Sequence, residues 1–329
     1  ETVFIPQQYG SAAILTQYPT YSELLEDYYA TKDRAERLKQ KSRELYKAVH
    51  NLYERAVRKQ SARREELAQS EKADTLRLYG ELLQANQWAI QKGDRQATVQ
   101  NYYTGEDVTI RLDPRLGPNE NAQKYFDKYG KMKRTAEALN ELILETKGQI
   151  DHLESIQNSL DIALSADDLV QIKDELIEYG FIKKGKGSKK QKVKSKPFHY
   201  ISSDGFDMYV GKNNYQNDEL TFKLATGNDW WFHAKGMPGS HVIVKAENKE
   251  LPDSTFEEAG KLAGYYSKGK NADKVEIDYL QKKNVKKPNG AAAGFVVYYT
   301  NYSLTIHPDI SDIRQICLLY TSPSPRDMR

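Results

Sequence analysis

The chain has 329 residues, of which 39% are hydrophobic and 29% are charged, and its mean hydropathy is −0.78. This length accommodates two domains, and the high polarity indicates long solvated helices beside a compact part. No apolar run is long enough to span a bilayer and no secretory signal is recognised, so we expect a soluble cytoplasmic protein without a membrane partner. The single Cys317 excludes an internal disulfide framework and fits a reducing compartment.

The net charge of +3 is unevenly distributed along the chain. Residues 1–182 carry 25 basic and 30 acidic side chains, and residues 197–316 carry 14 basic and 15 acidic side chains. Between them, residues 183–196 carry eight lysines and no acid. This Lys-rich segment is too polar to pack a core and is interpreted as a solvated linker. Its charge also suits a polyphosphate partner such as RNA.

Both ends of the sequence differ in character from what lies between them. Residues 1–20 begin with "ETVFIPQQYG" and without Met, and they are interpreted as the remnant of a preceding domain. Residues 317–329, "CLLYTSPSPRDMR", lack periodicity and resemble the translation of a sequencing-library adapter. We interpret them as a non-native tail, with a natural disordered tail as the alternative.

Two segments show the apolar spacing of a coiled coil, in which positions four and three residues apart form one seam. The first segment is residues 21–78, and the second lies in residues 131–182, which also include a capped return helix over 165–182. The seam positions are Leu24, Tyr28, Ala35, Leu38, Leu45, Val49, Leu52 and Ala56 in the first segment, and Met132, Ala136, Leu139, Ile143, Thr146, Ile150, Leu153, Leu160 and Leu164 in the second. Two seams of similar length predict a long antiparallel helical hairpin.

Residues 79–130 separate the two seams and lose their periodicity. The stretch "YGELLQANQWAIQKG" predicts a short helix that ends at Gly93, and the segment after it is punctuated by Gly and Pro. We therefore predict a small folded tip subdomain at the end of a long arm. Such an arm holds two contact points far apart and is not expected to catalyse a reaction.

Residues 197–316 predict a mixed α+β domain of ordinary size. Short runs rich in β-branched and aromatic residues are separated by Gly, Asn, Asp and Pro, which is typical of strands. The predicted strands are "FHYISS", "FDMYVG", "ELTFKLA", "WWFHA", "HVIVKA", "KVEIDYL", "GFVVYYT" and "SLTIH", and one amphipathic helix, "DSTFEEAGKLAGYYSKG", interrupts them. The predicted fold class is therefore α+β: a long antiparallel coiled-coil hairpin with a small tip subdomain, followed by a mixed α+β C-terminal domain.

The stretch "NDWWFHAKGMPGSHVIVKAE", residues 228–247, concentrates tryptophan and histidine. His233 and His241 lie on neighbouring predicted strands, but zinc requires three or four ligands and no further ligands are spaced to join them, so no metal site is predicted. Ser240 is adjacent to His241 in a strand, so the two side chains point to opposite faces and do not form a catalytic pair. No catalytic residue is predicted.

A surface that stacks single-stranded RNA fits this stretch better than a catalytic site. Trp231 and His233 alternate with Trp230 and Phe232, so one pair faces the core and the other is available to stack on bases. Lys235 and the backbone amides at 239–240 would lie beside that pair and suit an RNA backbone. A plain packed core is the alternative. Because successive side chains of a strand alternate between its two faces, one face can pack in a core while the other binds RNA.

Two loops extend this predicted surface. The segment "GKNNYQND", residues 211–218, predicts either a Gly/Asn turn that presents polar amides or a plain hairpin loop. The lysines around "KKPNGAAAG", among them Lys286 and Lys287, predict either a basic RNA-binding loop or a solvated edge.

Several of these stretches resemble the signatures of one protein family, NFACT, and in particular of its bacterial members. "SSDGFDMYVGKNNYQNDELTFKLATGNDWWFHAKGMPGSHVIV", "AGYYSK" and "VKKPNGAAAG" resemble the RNA-binding domain of that family. "RLYGELLQAN" and "LDPRLGPNENAQKYFDKY" are similar to its coiled-coil and middle region, so the resemblance covers about residues 20–310. The family's N-terminal domain, with an Asp-Arg pair linked to tailing, has no counterpart in these stretches, and we expect a chain without it.

The resemblance implies ribosome-associated quality control. Family members bind large ribosomal subunits that carry peptidyl-tRNA and recruit alanyl-tRNA for alanine tailing of the stalled chain, while the ribosome forms the peptide bond. The implied partners are rRNA and a stalk-base protein of the large subunit, together with tRNA, and no enzyme activity, cofactor or small-molecule substrate is implied. The implied RNA-binding residues are Asn213, Asn214, Asn217, Trp231, His233, Lys235, Gly239, Ser240, His241, Lys268, Lys286 and Lys287, and the implied ribosome contacts of the tip are Tyr79, Asn86, Asp113, Arg115, Asn121 and Tyr125.

Two other classes of protein stay open at the level of sequence. The first is a fibronectin-binding adhesin at the cell surface, which the lack of a recognisable secretion signal disfavours. The second is a structural coiled-coil linker protein without an RNA partner. Exposure on intact cells would support the adhesin, and self-association that is independent of salt and RNA would support the linker.

Overall fold

The structure is a computed structural model, and it describes residues 18–70, 72–184 and 195–316. The predicted remnant at 1–20 lies outside these ranges except for its last three residues, 18–20. Residues 185–194 of the Lys-rich linker and the whole of the tail at 317–329 also lie outside them.

Two long helices form the arm. Helix α1 spans Tyr21–Ser70 and helix α3 spans Pro118–Ile162, which gives lengths of about 75 and 68 Å at about 1.5 Å per residue. They run antiparallel, because the Tyr53 hydroxyl donates to Glu154 over 3.1 Å while the Arg63 guanidinium donates to the Leu142 carbonyl over 2.6 Å. Val49 of the first predicted seam and Leu153 of the second are both buried where the helices meet. The long helical hairpin is therefore confirmed.

The tip contains more regular structure than its sequence indicated. Helix α2, Ala73–Ala85, is followed by an antiparallel hairpin of β1, Gln96–Gln100, and β2, Asp107–Arg111. The predicted helix end at Gly93 is wrong, because α2 ends at Ala85 and a short 3₁₀ turn, Gln87–Ala89, follows it. The tip has its own core, which consists of Leu82, Leu83, Ile90, Val99, Ile110 and Ala122.

Helix α3 begins inside the tip, at Pro118 rather than at residue 131. Proline favours the first turn of a helix, and the Glu120 carboxylate accepts a hydrogen bond from the Gly117 N–H over 2.7 Å, which ties down the start. The tip and the second arm are therefore joined by one continuous helix. At Gly80 of α2, a Cβ atom would lie 2.8 Å from the Phe126 ring of α3, so glycine allows these two helices to pack closely.

Helix α4, Ala166–Glu178, returns the chain to the base of the arm. The Ser165 hydroxyl accepts a hydrogen bond from the Asp168 N–H over 3.1 Å and caps the helix, as its sequence predicted. Leu169, Ile172 and Leu176 pack against the buried seam of the arm.

The C-terminal domain is built on a seven-stranded antiparallel sheet, in the order β8-β7-β5-β6-β4-β3-β9. Helix α6, Asp253–Tyr265, covers one face through Leu262 and Ala263. The strands are β3 (Phe198–Ile201), β4 (Asp207–Val210), β5 (Trp230–Ala234), β6 (Val242–Val244), β7 (Val275–Gln281), β8 (Tyr302–Ile306) and β9 (Arg314–Gln315). The α+β fold class is therefore confirmed.

Two of the predicted strands are wrong. "ELTFKLA" is helical, since α5 spans Asn214–Glu219 and a π-helical turn, Leu220–Leu224, extends it. Its apolar residues are spaced by four as well as by two, so a short run of this kind satisfies either period. "GFVVYYT" forms only one isolated bridge, between Lys286 and Val297. These two segments lie over the second face of the sheet, where Leu220, Val296 and Tyr298 pack around Trp231.

A buried carboxylate connects the arm to the sheet domain. Glu175 of α4 is 0% exposed, and its Oε1 atom lies 2.7 Å from His152 Nε2 of α3 and accepts a hydrogen bond of 2.7 Å from Asn214 Nδ2 of α5. The same Asn214 amide donates to Ser155 Oγ of α3 over 2.7 Å. Three helices therefore share one polar cluster, the Glu175 cluster, that water does not reach.

Replacing Asn214 with Ala should destabilise the protein by about 2 kcal/mol, because the substitution removes a partner from a buried carboxylate. Urea unfolding followed by circular dichroism measures this loss. Asn228→Ala serves as the matched control, because Asn228 is exposed and its side chain bonds only the exposed Asn248; its effect should stay within about 0.5 kcal/mol. Equal effects of the two substitutions would contradict the role of the Glu175 cluster.

Candidate nucleic-acid interface

A cavity of ≈ 340 Å³ lies where the arm meets the sheet domain. Helix α3 lines one side with Asp151 and Ser155, and strand β5 lines the other with Trp231 and His233. The turn between β5 and β6 and the segment after Gly294 complete the walls. We call this space the β5 cavity.

Asn217 of α5 organises one wall of the β5 cavity. Its Oδ1 atom accepts a hydrogen bond of 3.0 Å from the His241 N–H, and its Nδ2 atom lies 3.5 Å from the Gly239 carbonyl oxygen. One asparagine side chain thus fixes the backbone on both sides of Ser240. Gly294 on the opposite wall adopts φ +79°, and a Cβ atom there would lie 2.5 Å from Asn214 Oδ1, so glycine is required at this close approach.

Two histidines face each other in the β5 cavity. Their ring centroids lie 5.5 Å apart with perpendicular planes, and the Trp231 ring lies 5.6 Å from His233 and 5.1 Å from His241. Burial lowers the pKa of His233 to about 4, and burial together with the neighbouring His233 lowers the pKa of His241 well below its usual range. Both imidazoles are therefore neutral near pH 7. His241 Nδ1 lies 2.8 Å from the Thr221 hydroxyl.

The predicted asparagines lie together but are not an exposed turn. Asn213, Asn214 and Asn217 are 1%, 4% and 4% exposed, respectively. Asn213 caps α5 by accepting from the Gln216 N–H over 3.0 Å, and its amide donates to Gln171. The hairpin loop predicted for 211–218 is therefore wrong. These amides hold the interior together, and Asn214 and Asn217 also line the β5 cavity.

The exposed aromatic platform predicted from strand alternation is wrong. Trp231 and Phe232 do face opposite sides of the sheet, but both are 0% exposed because each side carries its own core. The backbone amide of Ser240 is also not free, since it donates to the Tyr266 carbonyl over 3.0 Å. Only tertiary structure shows that the second face is covered, because its cover comes from segments distant in sequence.

The predicted lysines surround the domain without forming one patch. Lys235 and Lys268 are exposed and pair with Glu276 at 3.5 Å and Glu154 at 3.1 Å, respectively. Lys287 pairs with Asp218, whereas Lys286 is exposed on the loop after β7. These exposed pairs are weak and can exchange for contacts with phosphate.

The predicted tip residues do come together. Asp113, Arg115, Asn121 and Tyr125 line one depression on the tip. Hydrogen bonds from Arg115 and then from Lys124 hold the pKa of Asp113 well below its usual range. The remaining two predicted tip residues have structural contacts: Tyr79 packs edge-on against Tyr125 at 5.6 Å, and the Asn86 amide donates to the Leu82 carbonyl over 2.8 Å.

Several exposed aromatic side chains were missed by sequence reasoning. Trp88 is 86% exposed on the tip, where Tyr102 and Tyr103 are 56% and 67% exposed, and Tyr299 is 86% exposed on the C-terminal domain. A tryptophan that directly follows two polar residues in "ANQWAIQ" was the available signal. Exposed aromatics of this kind are typical of contact sites.

Two features of the described ranges, 18–70, 72–184 and 195–316, bear on other classes of function. Within them, no set of three or more His, Cys, Asp and Glu side chains is arranged to hold a metal ion. No helix in the same ranges has the length and apolarity needed to cross a bilayer.

The fold defines a class of protein in which an α+β sheet domain is carried at the base of a long helical hairpin. The family model for the NFACT N-terminal and middle domains matches residues 2–196, and the model for the NFACT protein RNA-binding domain matches residues 196–299. The chain therefore belongs to the NFACT family, whose members bind RNA and are not classical enzymes.

Relatives agree with this assignment. The Rqc2 homolog RqcH of Streptococcus pneumoniae is 38% identical over 314 residues, which cover 95% of this chain and 56% of the relative. The protein of the same name from Bacillus subtilis is 38% identical over 90% of this chain and 52% of its own length. The chain thus spans about half the length of the curated relatives it matches.

A solved structure shares the fold. The C-terminal part of the fibronectin/fibrinogen-binding protein from Streptococcus suis is 36% identical, with a TM-score of 0.66 over 83% of this chain and 96% of that chain. The long helices followed by an antiparallel sheet domain are therefore common to both proteins.

Acidification should destabilise the protein between pH 6.5 and pH 4, the unperturbed and folded-state pKa values of His233. In that window the unfolded chain binds a proton that the folded chain excludes, so the free energy of unfolding falls by up to about 1.4 kcal/mol per pH unit for each such histidine. His233→Phe keeps an aromatic ring and removes one titrating group, so its stability should fall less steeply. Urea unfolding across the window measures the slopes.

The control for this comparison is His50→Phe, because His50 is exposed on α1. This variant should keep the pH dependence of the unmodified chain. A slope for His233→Phe equal to that of the control would show that His233 is not held neutral by the fold.

Proposed function

We propose that this chain acts in ribosome-associated quality control. In this proposal the chain binds large ribosomal subunits that carry peptidyl-tRNA and are obstructed by a stalled nascent chain. The observation that carries the proposal is the combination of an RNA-binding family domain with an arm about 70 Å long whose far end is separately folded. A protein of this shape contacts two distant parts of a large particle at once, and such bivalence raises affinity without requiring a strong single site.

The two ends have different contact chemistry, which supports different ribosomal targets. The tip presents the exposed side chains of Trp88, Tyr103 and Arg115, a mixture typical of protein interfaces. The C-terminal domain presents exposed lysines, and the sequence just before it is rich in lysine; both features suit rRNA and tRNA phosphates. We therefore assign the tip to a stalk-base protein and the C-terminal domain to RNA, in the cytoplasm where ribosomes are found.

Within the whole protein, the proposal extends to recruitment of alanyl-tRNA for C-terminal alanine tailing. The ribosome would form each peptide bond, and the chain would position tRNA without a cofactor or a small-molecule substrate. This chain alone is expected to bind subunits without supporting tailing. Alanine tails made by this chain in a reconstituted system would contradict that separation.

Co-sedimentation with purified large ribosomal subunits at two salt concentrations tests the proposal. The tip variant combines Trp88→Ala with Arg115→Ala, and the base variant combines Lys235→Ala with Lys286→Ala; these four residues are exposed. Each double substitution should weaken binding roughly tenfold at the lower salt concentration. The base variant should also show a smaller salt dependence, because it has lost contacts with phosphate.

The matched control combines Lys39→Ala with Lys59→Ala, both exposed on the shaft of α1. It removes the same charge as the base variant and should bind as the unmodified chain does. Lack of binding by the unmodified chain at low salt, or equal losses in the base variant and the control, would argue against the two-ended contact.

A second candidate function is binding of fibronectin. The solved structure that shares this fold is described as part of a fibronectin/fibrinogen-binding protein. Immobilised fibronectin distinguishes the two candidates: saturable binding to it, together with no binding to large subunits, would favour the adhesin.

A further inference from the structure

We propose that the β5 cavity accepts one unstacked nucleobase from a single strand of RNA. This inference rests on the proposed RNA-binding function, and it assigns to that function a specific recess. The volume of the β5 cavity, ≈ 340 Å³, lies at the small end of the range for ligand sites in proteins, which begins at about 300 Å³. Proteins that bind single-stranded RNA turn bases out of the strand and place them against aromatic side chains.

Flat apolar surfaces line the β5 cavity. The half-buried Phe295 and Tyr298 rings line one wall, and the fully buried Trp231 ring supports them from beneath. The Tyr298 ring lies 5.3 Å from the Trp231 ring, and the Tyr298 hydroxyl donates to Asp278 over 2.8 Å, which fixes its orientation. The walls are therefore preorganised for a planar aromatic ligand, and such preorganisation decreases the entropy lost on binding.

The polar groups of the β5 cavity match the edge of a base. His233 and His241 carry no charge near pH 7, because burial lowers both pKa values, and a neutral imidazole offers one donor and one acceptor. The Asn214 and Asn217 amides also border the space. The indole N–H of Trp231 is buried and has no hydrogen-bond partner among the described residues. Such groups discriminate between bases through hydrogen bonds.

The charges around the β5 cavity favour a base over a phosphate inside it. Lys147 is the one cationic side chain among the described residues that line it, and it pairs with Asp151 at 2.9 Å, while Glu154 adds a second carboxylate. Asp278 of β7 lies opposite His233, on the same face of the sheet, and is 4% exposed. A phosphate group would therefore enter a region with two paired carboxylates at its edge and no free cation facing it among the described residues. Lys235, exposed at the end of β5, lies where a strand backbone outside the cavity would pass.

Fluorescence-anisotropy titrations of the full chain test this assignment. The probes are decamers of adenylate, cytidylate and uridylate, together with a decamer of ribose phosphate that lacks every base. All four strands carry the same charge, so any difference in affinity reports contacts with bases rather than with phosphates. At least one base-containing decamer should bind the unmodified chain about tenfold more tightly than the abasic strand, as expected for one buried, stacked base.

His233→Phe is the diagnostic variant, because it keeps a ring at the site and removes both ring nitrogens. It should lose most of the tenfold preference for bases while binding the abasic strand as before. Tyr299→Ala is the control, because Tyr299 is an exposed aromatic side chain on the same domain that does not line the cavity. It should keep the preference. Equal affinities of the unmodified chain for all four strands would overturn the assignment while leaving the proposed RNA binding intact.

A second measurement needs no substitution. The four nucleoside monophosphates are titrated into the full chain, and the imidazole signals are followed by NMR. Saturable shifts of the His233 and His241 signals, absent with ribose 5-phosphate, would place a base in the cavity whether it comes from a strand or from a free nucleotide. If no decamer bound, the proposed RNA binding would fail, and unchanged imidazole signals in this titration would then overturn the base pocket as well.

Discussion

One buried carboxylate determines how the two parts of this protein fit together. Glu175 accepts or shares hydrogen bonds with His152 of the arm and Asn214 of the sheet domain, at the junction of three helices. A buried charge without partners is strongly destabilising, whereas one with several partners fixes a single geometry. The Glu175 cluster therefore orients the arm relative to the sheet domain, and so sets the distance and direction between the tip and the RNA-binding surface.

The β5 cavity is a consequence of that junction. One wall belongs to α3 and the other to β5 and its neighbours, so neither the arm nor the sheet encloses it alone. Because burial lowers the pKa values of both histidines, the two imidazoles present hydrogen-bonding groups without charge near pH 7. Phosphate attraction is left to exposed lysines and to the Lys-rich linker. Base contacts and backbone contacts are thereby separated in space, as specificity and affinity usually are in RNA-binding proteins.

One helix also connects the tip to the sheet domain. A single helix, α3, begins within the tip, runs the length of the arm and ends beside the sheet domain. The tip and the β5 cavity are thus joined by one helix, since Lys124 in the tip and Ser155 at the cavity both belong to α3. The exposed Trp88 and Tyr103 on the tip and the recess at the base lie at opposite ends of this helix.

The sequence by itself determined the class of fold, because seam spacing and strand-like runs are local patterns repeated many times. It also identified side chains that line the cavity, because Asn214, Asn217, Trp231, His233 and His241 stand in stretches that resemble the family's RNA-binding domain. Only the tertiary structure decided what these residues do. The sequence "ELTFKLA" fits a strand or a helix equally well. In the fold it is helical and packs on the sheet, where it buries Trp231. The burial of a side chain depends on which segments, distant in sequence, pack against its face of the sheet. A local sequence pattern carries no information about those segments.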